Sequence, residues 1–205
     1  MIEDGTQALG ARVGEKKGGR FGVFSIFSFY ATKIMTTGEG GMVLTDSPRL
    51  AEKIRDLRDY AKKDNHTFRT NSKMTDLEAA MGIVQLRKLP SFIQARRKIA
   101  SFYHESLKDS GVALPQEDEY RDHVYFRYVL RIPKNAQALI RNLNAQGVEA
   151  KQPLFKPLHR YLKLSDSDFP VTVKAMKEAC SLPIFPSLDS AGCAQVSKAV
   201  CSQWD

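Results

Sequence analysis

At 205 residues and 42% hydrophobic content, the chain is long enough for one large domain or two modest ones and too apolar to be disordered throughout. Its formal charge of +8 comes from 31 Lys and Arg set against 23 Asp and Glu. These are spread along the chain instead of forming a basic stripe with interleaved aromatics, which argues against a nucleic-acid partner and leaves a solvated basic surface or, more sharply, attraction for anions such as phosphates or nucleotides. No apolar run approaches the length of a membrane span and no leader pattern is present, so a soluble cytoplasmic protein with no membrane partner is expected. The three cysteines, Cys180, Cys193 and Cys201, match no zinc spacing and no disulfide framework. They read as small core residues in helix-like stretches, and no metal is expected.

In chain order, the first 46 residues read as strands and turns. Val23 to Phe29 is apolar and β-prone, and Met42-Val43-Leu44-Thr45 has a short buried-strand pattern closed by Asp46-Ser47-Pro48. Both suit a parallel or mixed sheet covered by helices. A helix is expected from Pro48 to about Lys63, then a polar loop over 64–73. Thr75-Asp76-Leu77-Glu78 fits a capping box, and Leu77, Ala80, Met81 and Val84 form one stripe of the helix it starts. Pro90 is expected to kink or restart that helix, with Ile93 to Leu107 as a connector. Val124 to Ile132 alternates as a half-exposed strand, and Ala136 to Gln146 is an amphipathic helix stopped by Gly147. A short strand over 148–154 and helices near 171–180 and 190–203 complete the pattern. The expectation is an α/β fold with a boundary between 1–107 and 108–205. His66, His104 and His123 read as solvent-facing.

The chemistry centres on Lys33. It lies in Phe27-Ser28-Phe29-Tyr30-Ala31-Thr32-Lys33, followed by Thr36-Thr37-Gly38-Glu39-Gly40-Gly41, with Glu3-Asp4-Gly5-Thr6-Gln7 upstream. A lysine amine is mostly protonated at neutral pH and a poor nucleophile; joined to an aldehyde cofactor it becomes its holder and a proton shuttle. A lysine, a carboxylate partner and a glycine-rich turn are the parts a pyridoxal-phosphate site needs. On spacing alone, a lone Asp at a strand end such as Asp4 is more often a turn or cap residue.

Phe27–Lys33 with Thr36–Gly41 resembles the cofactor-lysine motif of the DegT/DnrJ/EryC1/StrS sugar aminotransferases, fold-type I pyridoxal-phosphate enzymes acting on nucleotide-linked keto-sugars. Ile2–Gly10 resembles that family's ring-nitrogen segment, Asn71–Leu86 a third block, and Leu182-Pro183 with Pro186 a late one. The resemblance implies that Lys33 holds the cofactor covalently and moves the proton. It implies that Asp4 pairs with the pyridine nitrogen, Gln7 lies against the ring near its hydroxyl and Ser28 donates to the phosphate. It further implies that Asn71 reaches the phosphate in a neighbouring subunit, making a homodimer with a shared active site. His159, in Leu154-Phe155-Lys156-Pro157-Leu158-His159, is either a substrate contact or a structural hydrogen-bonding residue; Phe155 stands where the family often has tyrosine. Lys73 stands where the family usually has arginine, and lacks its bidentate fork.

The implied reaction moves an amino group from an amino acid, glutamate being usual, to a keto-sugar on a nucleotide diphosphate, for surface polysaccharide or amino-sugar synthesis. Family members are about twice this length. The chain therefore corresponds to the C-terminal portion: the end of a large-domain sheet, a long connecting helix and a small α/β domain. Two alternatives stay open: a truncated, non-catalytic remnant, or one half of a split enzyme. A dehydratase-type relative is disfavoured by Lys33, because those relatives carry histidine there.

Overall fold

The computed structural model describes residues 1–116, 118–133 and 135–203. The chain forms two compact units, one of Met1–Ile93 with Asp118–Val124 and one built from the remainder. The sequence expectation placed the boundary after residue 107.

In the first unit, β1 (Ile2–Asp4), β4 (Phe24–Ser28) and β5 (Gly41–Leu44) make a mixed sheet in the order β1-β4-β5. β1 runs parallel to β4 with Glu3 opposite Ser25 and Asp4 opposite Ile26; β5 runs antiparallel to β4 with Gly41 opposite Ser28. β4 is central because its alternation buries Ser25 and Phe27 on one face. Phe27, Phe29 and Met35 pack together with Leu9 and Met74, each buried aromatic contributing about 2 kcal/mol. Met42, Val43 and Leu44 are exposed, contrary to the buried-strand reading, because β5 is an edge strand. β2 (Arg12–Val13), β3 (Lys16–Lys17) and β6 (Arg121–Asp122) form a second small sheet.

Helix α1 (Pro48–Leu57) is capped by Ser47, whose hydroxyl accepts from Leu50 N–H, and has Pro48 in its first turn. It ends before Lys63 because the returning strand of loop takes its last carbonyls: Thr70 N–H donates to Leu57 O and Ser72 N–H to Arg58 O, both at 2.9 Å. Helix α2 (Asp76–Leu107) opens on the expected capping box: Thr75 N–H donates to Glu78 Oε2 at 2.8 Å and Glu78 N–H to Thr75 Oγ1 at 3.3 Å. It passes through Pro90 without restarting. The position is exposed, so the carbonyl one turn back that loses its donor can be hydrated. The stripe Leu77, Met81 and Val84 stands exposed.

The second unit has the larger core. The end of α2 packs Ile99, Ala100, Tyr103 and Leu107 among β7 (Tyr128–Arg131), α3 (Ala136–Ala145), β8 (Ala179–Leu182) and α6 (Ser190–Cys201). Helices α4 (Leu158–Tyr161) and α5 (Pro170–Glu178), with a 3₁₀ turn at Asp166–Asp168, complete it. β7 pairs antiparallel with β8. The expected strand begins only at Tyr128, because Tyr125 adopts φ 47° and its ring is buried, which breaks the alternation. Residues 148–154 give a single bridge, Lys151 to Ser181. The helix expected to reach 180 stops at Glu178, so Cys180 lies in a fully buried strand. His104 is half-buried, its ring nitrogens 2.9 Å from Ala100 O and 2.8 Å from Pro115 O, and does not face solvent. No helix among the described residues is long and apolar enough to cross a membrane.

Candidate active site

The candidate site lies in the first unit, where β1 and β4 end side by side. After Ser28 the chain leaves the sheet, loops through Lys33 and returns at Gly40. Phe29 holds both arms of this loop: its N–H donates to Gly40 O and its carbonyl accepts from Thr37 N–H, both at 2.9 Å. Thr36 Oγ1 also donates to Phe29 O at 3.0 Å, and Thr36 N–H reaches Gln85 Oε1 on α2 at 3.4 Å. Ile34, Met35 and Thr37 are buried and anchor the loop. Lys33 is half-buried on this fixed frame, its N–H donating to Tyr30 O at 2.9 Å. Gly40 has φ 138°, and a Cβ there would lie 2.6 Å from Thr37 Oγ1, so the return strand needs glycine.

Asp4 ends β1. Thr6, through its amide and its hydroxyl, holds the Asp4 carboxyl below its ordinary range; slight burial opposes this and the nearby charge of Lys33 adds to it. The amide contact is Thr6 N–H to Asp4 Oδ1 at 3.0 Å. The structure thus brings Asp4 within electrostatic reach of Lys33. Gln7 is exposed in the turn after β1, where Ala8 N–H donates to Gly5 O at 2.9 Å. Ser28 is half-buried at the last position of β4; its Oγ accepts from Tyr30 N–H at 3.3 Å, which leaves its own proton to donate elsewhere. Asn71 is exposed between the two residues bonded to the end of α1, and neighbouring Lys73 pairs with Asp59 at 3.1 Å.

His159 belongs to the second unit. It is buried, with Nε2 2.9 Å from Asp166 Oδ1, and its ring stacks on Phe169 with centroids 4.6 Å apart. Arg160 grips the same carboxylate at 2.9 and 2.8 Å. The structure therefore gives His159 the structural hydrogen bond that was one of its two expected roles.

Sequence reasoning gave no role to Glu3, Ser25, Thr36 or Gln85. Glu3 carried a usable signal: it neighbours Asp4 on a strand, so the two carboxylates must point to opposite faces, and an inward one needs donors. A cavity of about 800 Å³ lies elsewhere in this unit, along β5, α1 and residues 72–74; neither Asp4 nor Lys33 lines it.

The residues present fit pyridoxal phosphate. An ionised carboxylate and a hydroxyl with a proton to donate end the neighbouring strands β1 and β4, the amine whose charge reaches that carboxylate follows β4 in its loop, and a side-chain amide follows β1 in its turn. Phe29 and the Gly40 return fix the loop that carries the amine.

Comparison with known proteins agrees. Residues 1–201 match the profile of the DegT/DnrJ/EryC1/StrS aminotransferase family. The chain is 32% identical to GDP-perosamine synthase of Caulobacter vibrioides, over 93% of this chain and 55% of that protein. It is 36% identical to the erythromycin biosynthesis sensory transduction protein EryC1 of Saccharopolyspora erythraea, over 92% and 54%. Among solved structures, DesV of S. venezuelae in complex with a ketimine intermediate superposes with a TM-score of 0.92 at 29% identity, covering all of this chain and 57% of that one. The chain spans about 55% of the length of the curated relatives it matches. It carries the α/β fold expected from its sequence, and by profile, identity and fold it belongs to the DegT/DnrJ/EryC1/StrS aminotransferase family.

Proposed function

We propose that this chain supplies the lysine-bearing part of a pyridoxal-phosphate-dependent aminotransferase acting on a keto-sugar linked to a nucleotide diphosphate. The amino donor is an amino acid, glutamate in the simplest case. The donor leaves as the 2-oxo acid, and the sugar gains an amino group in place of its carbonyl oxygen. The observation that carries this is the parallel alignment of β1 with β4, which leaves Asp4 beside the strand leading into the Lys33 loop and within that lysine's electrostatic reach.

When bound, the cofactor supplies an electron sink for the carbanion left by proton loss at the substrate carbon. Lys33 Nζ would hold the cofactor and, once free, would take that proton. Asp4, kept ionised by Thr6, accepts from the protonated ring nitrogen. Ser28 Oγ donates to the phosphate, and Gln7 flanks the ring near its hydroxyl. Asn71, exposed and backed by the end of α1, reaches the phosphate of a second copy's site, so the working unit is a homodimer in the cytoplasm. His159, bonded to Asp166 and stacked on Phe169, orders the segment around α4. The amino-sugar product suits surface polysaccharide or related biosynthesis.

A second reading, a remnant or half-enzyme that needs another polypeptide, is favoured by the exposed apolar edge of β5. One experiment tests both. The purified chain is mixed with pyridoxal phosphate, reduced with borohydride and mapped by mass spectrometry. Selective labelling of Lys33, lost in Lys33→Ala, is expected. Labelling spread over surface lysines would favour the second reading for the chain alone.

A further inference from the structure

β1 carries Asp4 and pairs in parallel with β4. Glu3, one residue before Asp4, adds side-chain bonds to that main-chain pairing. Gly19 N–H donates to Glu3 Oε1 at 2.7 Å, while Phe21 N–H and Ser25 Oγ donate to Oε2 at 2.9 and 2.8 Å. Ser25 is fully buried and stands directly opposite Glu3 in the parallel register. The clamp also closes tightly over Gly22, where a Cβ would lie 2.9 Å from Glu3 N and 2.7 Å from Phe24 O.

From this geometry we infer that Glu3 is a positioning residue for the reaction: its clamp on Gly19, Phe21 and Ser25 locks the β1–β4 register, and so fixes the face on which Asp4 meets Lys33. The physical reason is the two-residue period of a strand. A slip of one residue would turn the Glu3 carboxylate out of its donors and send Asp4 to the wrong face. Burial works to raise the Glu3 carboxyl, but the amides of Gly19 and Phe21, the Ser25 hydroxyl and the Gly22 amide outweigh it and keep Glu3 ionised. Glutamine cannot replace it: its NH₂ would face a donor on one side of the clamp. The inference rests on the aminotransferase reading for its functional meaning, and on the clamp for its geometry.

The test is the coupling between Asp4 and Lys33, read in the full chain by carboxyl ¹³C NMR titration of Asp4. In the parent, Lys33→Met is expected to raise the Asp4 pKa. In a folded Glu3→Gln chain that response is expected to vanish, with faster exchange of the Gly19 and Phe21 amides. A purely stabilising role would leave the response intact in folded Glu3→Gln, and that result would overturn the inference. Ser25→Ala, which removes one donor and leaves the carboxylate, covers the case in which Glu3→Gln does not fold. It is expected to shrink the response, and an unchanged response overturns the inference. Adding pyridoxal phosphate separates the two levels. Loss of coupling in Glu3→Gln without Lys33-linked absorbance in the parent sinks the cofactor reading and leaves Glu3's role standing. Lys33-linked absorbance together with undiminished coupling in Glu3→Gln does the reverse.

Discussion

Arg96 and Tyr125 are joined by a bond that depends on an unusual backbone. Tyr125 sits in the left-handed region at φ 47°, and its carbonyl accepts from Arg96 Nη1 at 3.0 Å. The same nitrogen donates to Ile184 O at 2.9 Å and Phe126 O at 3.3 Å, while Arg96 Nε is buried with no partner among the described residues. Burial pulls the guanidinium pKa below its ordinary value, and the three carbonyls keep the charge tolerable. Arg96→Met strands those carbonyls and relaxes the hold on a strained residue. The expected loss is about 3 kcal/mol, measured by urea unfolding followed through the second unit's tyrosines.

Asp4→Asn tests the ring-nitrogen partner without moving the chain. The amide is isosteric, and its oxygen still accepts from Thr6 N–H. It offers no charge to a protonated pyridine. Affinity for pyridoxal phosphate, followed by absorbance titration, is expected to fall about ten- to a hundredfold, the worth of one charge-assisted hydrogen bond. Unchanged affinity would remove Asp4 from the site.

Acid should loosen the segment around α4. Arg160 first and His159 second hold the Asp166 carboxyl at about 2, against an ordinary 3.8, with burial opposing weakly. A depressed folded value means that the stabilisation is complete above 3.8 and is lost as pH falls toward 2. Carboxyl NMR of Asp166 should show that low midpoint. Arg160→Met should move it upward and shift local opening to higher pH.

The cysteines should differ in reactivity. Burial pushes the Cys180 thiol up to about 12, and burial with Asp189 nearby raises Cys193, while Cys201 is only partly covered. At pH 8, only roughly one Cys180 in 10⁴ is thiolate. Iodoacetamide with peptide mapping is expected to modify Cys201 well ahead of the other two. Equal rates would mean that the second unit opens freely.

Much of the fold was legible because its signals are local. The capping box at Thr75 and Glu78 and the glycine stop at Gly147 need only a few neighbouring residues. The failures have a common cause. Pro90 was expected to kink or restart its helix, and it does not restart it, because an exposed turn of a long helix absorbs the proline. Met42–Leu44 was read as buried, yet strand order leaves it at an edge. Tyr125 interrupts an alternation that its neighbours continue, because its buried ring and its carbonyl's bond to Arg96 outweigh local preference. The lysine loop was recognisable from its motif, whereas the residues that brace it, Thr36 and Gln85, are far apart in sequence and carry no local signature.

The order of residues by itself determined the chemical groups available: one lysine among small and glycine residues, a carboxylate upstream, and a family pattern running through both. Tertiary structure decided which of those groups meet. Parallel pairing of β1 with β4 sets Asp4 near Lys33, and the Glu3 clamp fixes that pairing. The reason is that composition and spacing specify donors and acceptors, whereas proximity across strands depends on register, which only long-range hydrogen bonds and burial can set.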